Sequence, residues 1–200
     1  MDEIVLQAMA KWPNVPHCHG WLALDARGNW RMRDERCQAL NLPGERIRNA
    51  TLLNFIRRNY LPDEQGRWYF QNGPQRVYVD LEIAPWVCRT DPQQGFVLHT
   101  GEPMPTPHEA VLTPEGDLLF AFEKTCAVLD DRDLASCLPQ LKLAGKPFDE
   151  DALAAWSEGS APDLASFAGA ARNRPPIKLL RLQRNALPQR YGFQLQPRPD

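Results

Sequence analysis

The sequence has no apolar run that approaches the roughly 20 residues a membrane-spanning helix requires, so we expect no membrane partner. It also lacks a basic leader, since Asp2 and Glu3 stand where a secretory signal would carry Lys or Arg. Its five cysteines are odd in number and form no C-x-x-C pair, which argues against a disulfide framework. We therefore expect a cytoplasmic protein with free thiols.

Signatures of nucleotide binding and of a serine nucleophile are missing too. The 12 glycines form neither G-x-G-x-x-G nor G-x-x-x-x-G-K-[ST], the loops whose backbone amides bind phosphate. No G-x-S-x-G elbow occurs. These absences favour a non-catalytic binding or regulatory module over an enzyme. We expect it to use no cofactor and to bind a protein or a small molecule.

The sequence does contain a short turn motif that occurs three times between strand-like runs. The turns begin at Asp25, Asp63 and Thr113, and each has a glycine three residues later. Asp or Thr can bond the backbone that follows it, and glycine tolerates the positive φ of a tight hairpin. Each turn therefore predicts a hairpin. The second arm of the third hairpin, residues 118–128, is long for one strand.

Taken together, these patterns predict an α+β fold of antiparallel β-hairpins with one well-defined packing helix at about residues 50–60. We expect an α+β module over residues 1–85 and a β-rich module over residues 86–142. Residues 143–200 are expected to form a C-terminal extension that is first helical and then strand-like.

The clearest strand pattern covers residues 75–83. Its apolar and polar residues alternate strictly: Val77, Val79, Leu81 and Ile83 against Arg76, Tyr78, Asp80 and Glu82. Such alternation places one face on a core and leaves the other in water. The plain interpretation of the polar face is a solvated surface on which Arg76 moderates acidic repulsion. However, two carboxylates buried together can divide acid and base roles. A small-molecule enzyme that uses Asp80 and Glu82, beside Tyr78 and Arg76, is therefore one alternative function.

Four segments of the chain together resemble a known group of proteins. They are the hairpin from Trp21 to Trp30, the helix pattern Leu52-Leu53-x-x-Ile56, the run Gly66-Arg-Trp68-Tyr-Phe and the strand from Gln75 to Pro85. Through them the chain resembles bacterial domains of unknown function over roughly residues 20–142. Ile83 stands where that group has Asp. The resemblance implies a small α+β domain followed by a β-roll-like domain, and it implies no activity, ligand or site.

A histidine pair is the most metal-like feature of the sequence. His17 and His19 lie at i and i+2 of an extended segment and could share an ion. A structural zinc needs four ligands, and nothing in the sequence brings His99 or His108 towards the pair. We therefore expect polar residues that enter a hairpin, and no metal.

Basic residues concentrate at the C-terminal end. Residues 171–200 carry seven Lys and Arg against Asp200 alone. Five of them are spaced closely enough to follow phosphates: Arg172, Arg174, Lys178, Arg181 and Arg184. An anion or RNA binder is thus a further alternative function. The leucines between them favour instead a segment that docks onto its own acidic body, as a strand pair at residues 177–182 and 191–195.

Overall fold

The structure is a computed structural model that describes residues 1–160, 164–169 and 175–199. Two compact units make up the chain, the first formed by residues 1–85 with 192–200 and the second by residues 86–191. Both units are mixed α+β and consist mostly of sheet, as the sequence predicts.

The first unit is built on a six-stranded sheet. In chain order its elements are α1 (Glu3–Lys11), β1 (Cys18–Leu24), β2 (Trp30–Met32), α2 (Glu35–Ala39), β3 (Glu45–Arg46), α3 (Ala50–Arg58), β4 (Tyr60–Pro62), β5 (Trp68–Asn72) and β6 (Gln75–Leu81). The strands lie in the order β3-β2-β1-β6-β5-β4. Strands β1 and β6 are parallel, and the other neighbouring pairs are antiparallel.

The turns at Asp25 and Asp63 each join two antiparallel strands of this sheet. In both turns the carboxylate accepts hydrogen bonds from the backbone amides two and four residues later, at 2.8–3.0 Å. Gly28 and Gly66 have φ angles of 76° and 73°, which a side chain would disfavour. The repeated residue types therefore act through the turn chemistry that the sequence indicates.

One face of the six-stranded sheet is the apolar core of the first unit. Leu22 lies opposite Val79 and Leu24 opposite Leu81 in the parallel β1–β6 pair, and all four are buried. Helix α3 contributes Ile56, which is also buried. The helix begins after Asn49, whose side chain accepts a hydrogen bond from the Leu52 backbone amide. The opposite face of the sheet is thus the one left for polar residues.

The second unit is built on a nine-stranded sheet. Its elements are β7 (Trp86–Asp91), β8 (Gly95–Leu98), β9 (Glu109–Leu112), β10 (Leu118–Phe122), β11 (Thr125–Leu129), α4 (Leu134–Cys137), β12 (Leu141–Leu143), β13 (Lys146–Pro147), α5 (Glu150–Glu158), β14 (Ala165–Phe167), β15 (Ile177–Arg181) and α6 (Leu187–Tyr191). The strand order is β13-β12-β14-β15-β9-β10-β11-β7-β8. Its core includes the contacting rings of Phe96, Phe120 and Phe167.

Residues 177–195 differ from the strand pair that the sequence predicts. Strand β15 pairs with β9 and β14 instead, and Leu179 is fully buried within the sheet. Leu187 and Tyr191 are also buried, but they lie on helix α6. Their spacing of four residues and the proline in the first turn suit a helix rather than a strand.

The described residues contain six α-helices, of which α3 covers residues 50–58. The longest of these six, α1, α3 and α5, have nine residues each. Within the described part of the chain, therefore, no helix has the length and apolar character needed to cross a bilayer.

Candidate functional site

The candidate residues of the 75–83 strand lie on the second face of the six-stranded sheet. We use the term polar face for this surface, which carries His19, Arg31, Tyr69, Arg76, Tyr78 and Asp80. The prediction that it lies in water is wrong for two of them, since Tyr78 is 1% and Asp80 5% exposed. Glu82, just beyond the strand, is exposed.

The C-terminal segment, residues 192–199, contacts this face at His19 and Asp80. Its Leu195 carbonyl accepts the Leu81 amide hydrogen at 2.7 Å, so the segment extends backbone hydrogen bonding beyond β6. The Pro197 carbonyl lies 3.2 Å from Nδ1 of His19. A carbonyl can only accept, so this contact is a hydrogen bond in the tautomer that carries its hydrogen on Nδ1 of His19. Alternation along one strand could not reveal this cover, because it comes from a segment more than a hundred residues away.

The buried carboxylate of Asp80 forms two ion pairs. Arg33 donates from Nη1 to Asp80 Oδ2 at 2.6 Å, and Arg198 donates from Nη1 to Oδ1 at 3.0 Å. The Arg33 side chain is 9% exposed and also donates to the Leu42 carbonyl and to Asn41 Oδ1. Both carboxylate oxygens of Asp80 therefore accept hydrogen bonds from guanidinium groups, which fix the orientation of the carboxylate.

A cleft of about 290 Å³ opens beside this pair, and both predicted carboxylates, Asp80 and Glu82, line it. Glu82 accepts the Ala26 amide hydrogen on Oε2 at 2.9 Å, and its other oxygen has no partner among the described residues. Arg31 also lines the cleft; its Nε donates to Asp25 Oδ2 at 2.8 Å. The cleft thus combines an acceptor at Glu82 with guanidinium donors.

A second group of polar residues surrounds Tyr78. We use the term Tyr78 cluster for His17, His19, Asp63, Arg67 and Tyr78. The His19 ring stacks on Tyr78 with centroids 4.5 Å apart, and the His17 ring meets it edge-on at 5.8 Å. The Arg67 guanidinium lies 5.0 Å from the Tyr78 centroid. Asp63 Oδ2 accepts from Arg67 Nε at 2.7 Å and from the Tyr78 hydroxyl at 3.1 Å.

The environment of His17 makes its protonation less favourable. Partial burial lowers the pKa of His17 first, and the nearby charges of Arg76, His19 and Arg67 lower it further, against the smaller opposing effect of Asp63. The sequence offered His17 and His19 as the most metal-like pair while predicting no metal, and in the structure both rings contact the Tyr78 ring. The described residues contain no group of three or more His, Cys, Asp or Glu side chains that could hold a metal ion.

Acid should weaken the first unit through Asp63. Burial raises the pKa of Asp63, but hydrogen bonds from the Arg67 side chain, from the amides of Arg67 and Gln65 and from Tyr78 outweigh it and bring the pKa below 3.8. The stabilisation that these hydrogen bonds give to ionised Asp63 is therefore present above the unfolded pKa of 3.8. It is lost as the pH falls through the pKa of Asp63 in the folded protein. We expect Asp63→Asn to cost about 1–2 kcal/mol of unfolding free energy at pH 7.

Urea unfolding of wild type and Asp63→Asn at pH 7 and at pH 3 measures this effect. The difference between the two proteins should shrink at the lower pH, because below pH 3.8 the unfolded wild-type chain takes up a proton at Asp63 and the variant cannot. A difference of the same size at both pH values would contradict the assignment.

Two of the predicted binding residues near the C-terminus, Arg181 and Arg184, are engaged with the second unit's own groups. Arg184 donates to both oxygens of Asp117, at 2.8 and 2.9 Å, and Arg181 Nε donates to the Ser157 carbonyl at 3.0 Å. Lys178 lies on β15. The predicted binding residues Arg172 and Arg174 lie outside the described residues.

Sequence reasoning missed the cationic partners of the polar face. Arg33 is 47 residues and Arg198 is 118 residues from Asp80 along the chain. Neither arginine lies in a motif, and only the fold brings them to one carboxylate. The arginine that the sequence did single out, Arg76, instead lies over the Tyr69 ring, 4.6 Å from its centroid.

Comparison with known proteins gives a family but no activity. The model of the family DUF2944, described as "Protein of unknown function (DUF2946)", matches residues 1–198. The chain belongs to this family. None of the curated proteins matches the sequence. A crystal structure of a DUF1285 family protein from Silicibacter pomeroyi DSS-3 is similar over 71% of this chain and 86% of that one, with 13% identity and a TM-score of 0.44.

Membership of DUF2944 confirms the resemblance to domains of unknown function that the sequence indicated. The family description names no reaction, ligand or partner. Function must therefore be argued from the geometry of the polar face and its cleft.

Proposed function

We propose that this protein is a non-catalytic module that binds a small polar ligand in the cleft beside Asp80. The observation that carries the proposal is the state of the carboxylates there. Asp80 is bridged by Arg33 and Arg198, and Asp25 is bound by Arg31. Both oxygens of Asp80 are thus occupied by guanidinium donors, which leaves neither oxygen without a partner to contact a substrate proton, as a general base must.

The alternative of a small-molecule enzyme needs two carboxylates with different roles at one reacting centre. Glu82 is exposed and hydrogen-bonded to a backbone amide, while Asp80 is ion-paired, so the two differ in environment. However, Tyr78 donates its hydroxyl to Asp63 rather than towards the cleft. The predicted group of Arg76, Tyr78, Asp80 and Glu82 thus gives stronger support to binding than to acid–base chemistry.

The cleft has the features that recognise a polar ligand. Its volume of about 290 Å³ is near the lower end for ligand pockets, which are typically about 300–1,000 Å³. Arg31 uses Nε for Asp25 and Nη1 for the Gly44 carbonyl, which leaves its Nη2 without a partner among the described residues. A ligand that accepts a hydrogen bond from Arg31 and donates one to Glu82 would suit this pair.

Anion or RNA binding through the C-terminal residues has weaker support. Arg184 and Arg190 are paired with Asp117 and Glu109, so these two arginines carry little uncompensated charge for a phosphate backbone. The pairs support instead the interpretation that this segment docks onto acidic residues of its own chain.

Equilibrium dialysis of the full chain against a bacterial metabolite extract, read by mass spectrometry, tests the proposal. We expect wild type to enrich a small molecule to at most one per chain. Glu82→Gln should weaken retention about tenfold, since it removes a charged acceptor. Glu115→Gln, the same change at an exposed turn of the second unit, should leave retention within about twofold of wild type. Equal retention by Glu82→Gln and wild type would contradict the proposal.

The finer architecture stays a prediction: hairpins around one packing helix, a β-roll-like module over residues 86–142 and a separate extension from residue 143. The division of the chain between Pro85 and Trp86 supports a domain boundary at that point. The boundary at residue 142 has no such support, because residues 86–191 group as one unit. Limited proteolysis that cleaves near residue 143 and releases a folded fragment would favour the separate extension.

A further inference from the structure

We propose that the basic side chains around Tyr78 form a site for an oxyanion, a phosphate or carboxylate group, separate from the cleft at Asp80. The site consists of Arg76 together with His17, His19 and Arg67 of the Tyr78 cluster. Arg76 and Asp80 lie four residues apart on β6, or about 13 Å along an extended strand. The proposed site is therefore not a part of the cleft, and its test is independent of the proposed function.

The first argument is the balance of charge. Four basic side chains meet around the Tyr78 ring and the neighbouring Tyr69 ring, whose centroids are 5.7 Å apart. Asp63 is the one acidic member of the cluster, and it is bound to Arg67. The charge of Arg76 is thus left without a matching carboxylate: it forms no ion pair with any residue that the structure describes.

The second argument is the orientation of the donors. A guanidinium that stacks on an aromatic face keeps its N–H groups in its own plane, where they can reach a planar or tetrahedral oxyanion. Arg76 is held in this way on Tyr69. Tyr69 and Tyr78 are buried and form a rigid floor, whereas Arg76 is half-buried and His17 is exposed. Arg76 and His17 therefore lie nearer the surface than the two rings, with Arg67 and His19 partly buried beside them.

The third argument is the effect of neighbouring charges on His17. Arg76, Arg67 and His19 face His17 and oppose its protonation, while Asp63 favours it and the Tyr78 ring packs against it. A bound anion would offset this repulsion and raise the pKa of His17. By linkage the anion must bind more tightly as pH falls through that pKa, because protonated His17 then adds a donor and a positive charge.

Histidine-detected NMR of the full chain tests the proposal, with inorganic phosphate and acetate as separate probes at constant ionic strength. His17→Gln assigns the His17 signal among the four histidines. We expect at least one probe to raise the pKa of His17 saturably and to bind more tightly at pH 5.5 than at pH 7.5. Saturation by phosphate alone identifies a phosphoryl ligand, saturation by acetate alone a carboxylate, and saturation by both an oxyanion site of either kind.

Arg76→Gln should weaken binding of the active probe about tenfold, and Arg76→Lys should restore part of it. Arg46→Gln removes the same charge from an exposed position on edge strand β3, and it should change binding by less than about twofold. If Arg76→Gln disturbs folding, the Arg76→Lys comparison keeps the test valid. Absence of a saturable shift with both probes, or equal binding by Arg76→Gln and Arg46→Gln, would overturn the proposal.

Discussion

Asp80→Ala is expected to lower the free energy of unfolding of the first unit by about 3–5 kcal/mol, because it leaves the buried guanidinium of Arg33 without a counter-charge. Arg33 keeps its neutral acceptors, Asn41 and the Leu42 carbonyl, but Asp80 is the carboxylate that pairs with it among the described residues. Urea unfolding followed by tryptophan fluorescence measures the change. Four of the six tryptophans belong to the first unit, so the signal reports mainly on it.

Arg198→Ala is the matched control for Asp80→Ala. It breaks the other ion pair of the same carboxylate, but the Arg198 side chain is 52% exposed and water can replace Arg198. We expect a cost of about 0–1 kcal/mol. A small effect of Asp80→Ala, comparable to that of Arg198→Ala, would show that the Asp80–Arg33 pair does not hold the polar face together.

Gly66→Ala should be the most damaging of the turn substitutions, with a cost of at least about 3 kcal/mol. Gly66 has a φ of 73°, and a Cβ added there would lie 2.1 Å from the carbonyl oxygen of Gly192. The clash is with backbone, so no side-chain rotation relieves it. The C-terminal segment would have to move, which breaks the hydrogen bond from the Gln194 amide to the Gly66 carbonyl.

Gly116→Ala is the control in the equivalent turn of the second unit. Gly116 also has a positive φ, of 92°, but nothing lies within 4 Å of its added Cβ. Only the backbone strain remains, which costs about 1–2 kcal/mol. Thermal and urea unfolding of both variants compare the two effects. Equal costs would mean that the C-terminal segment does not pack against the Asp63 turn.

Local chemistry explains which parts of the fold could be predicted from the sequence. The turns at Asp25, Asp63 and Thr113 follow from residue types within five positions of each other. The third hairpin shows where this fails. Residues 118–128 fold back on themselves at Glu123, which adopts a φ of 51° without being glycine. No turn residue marks that position, so the sequence predicts one long arm where the structure has β10 and β11.

The polar face shows a second limit of sequence reasoning. The alternation along β6 identifies which side chains share a face, and Asp80 and Glu82 do line one cleft. It cannot tell whether that face meets water, because the cover and the counter-charge come from distant segments. Arg198 belongs to the basic C-terminal stretch, which the sequence favours as a segment that docks onto its own acidic body, but nothing in the sequence identifies Asp80 as the residue that Arg198 binds.

One measurement tests most directly whether the cleft at Asp80 only binds its ligand or also catalyses a reaction. It follows, over time in the metabolite extract, the ratio of ligand removed from solution to protein added. We predict a ratio that stops at or below one per chain and is reversed when the protein is unfolded. A ratio that rises above one and continues to grow with time would establish turnover, and it would contradict a non-catalytic role for the cleft at Asp80.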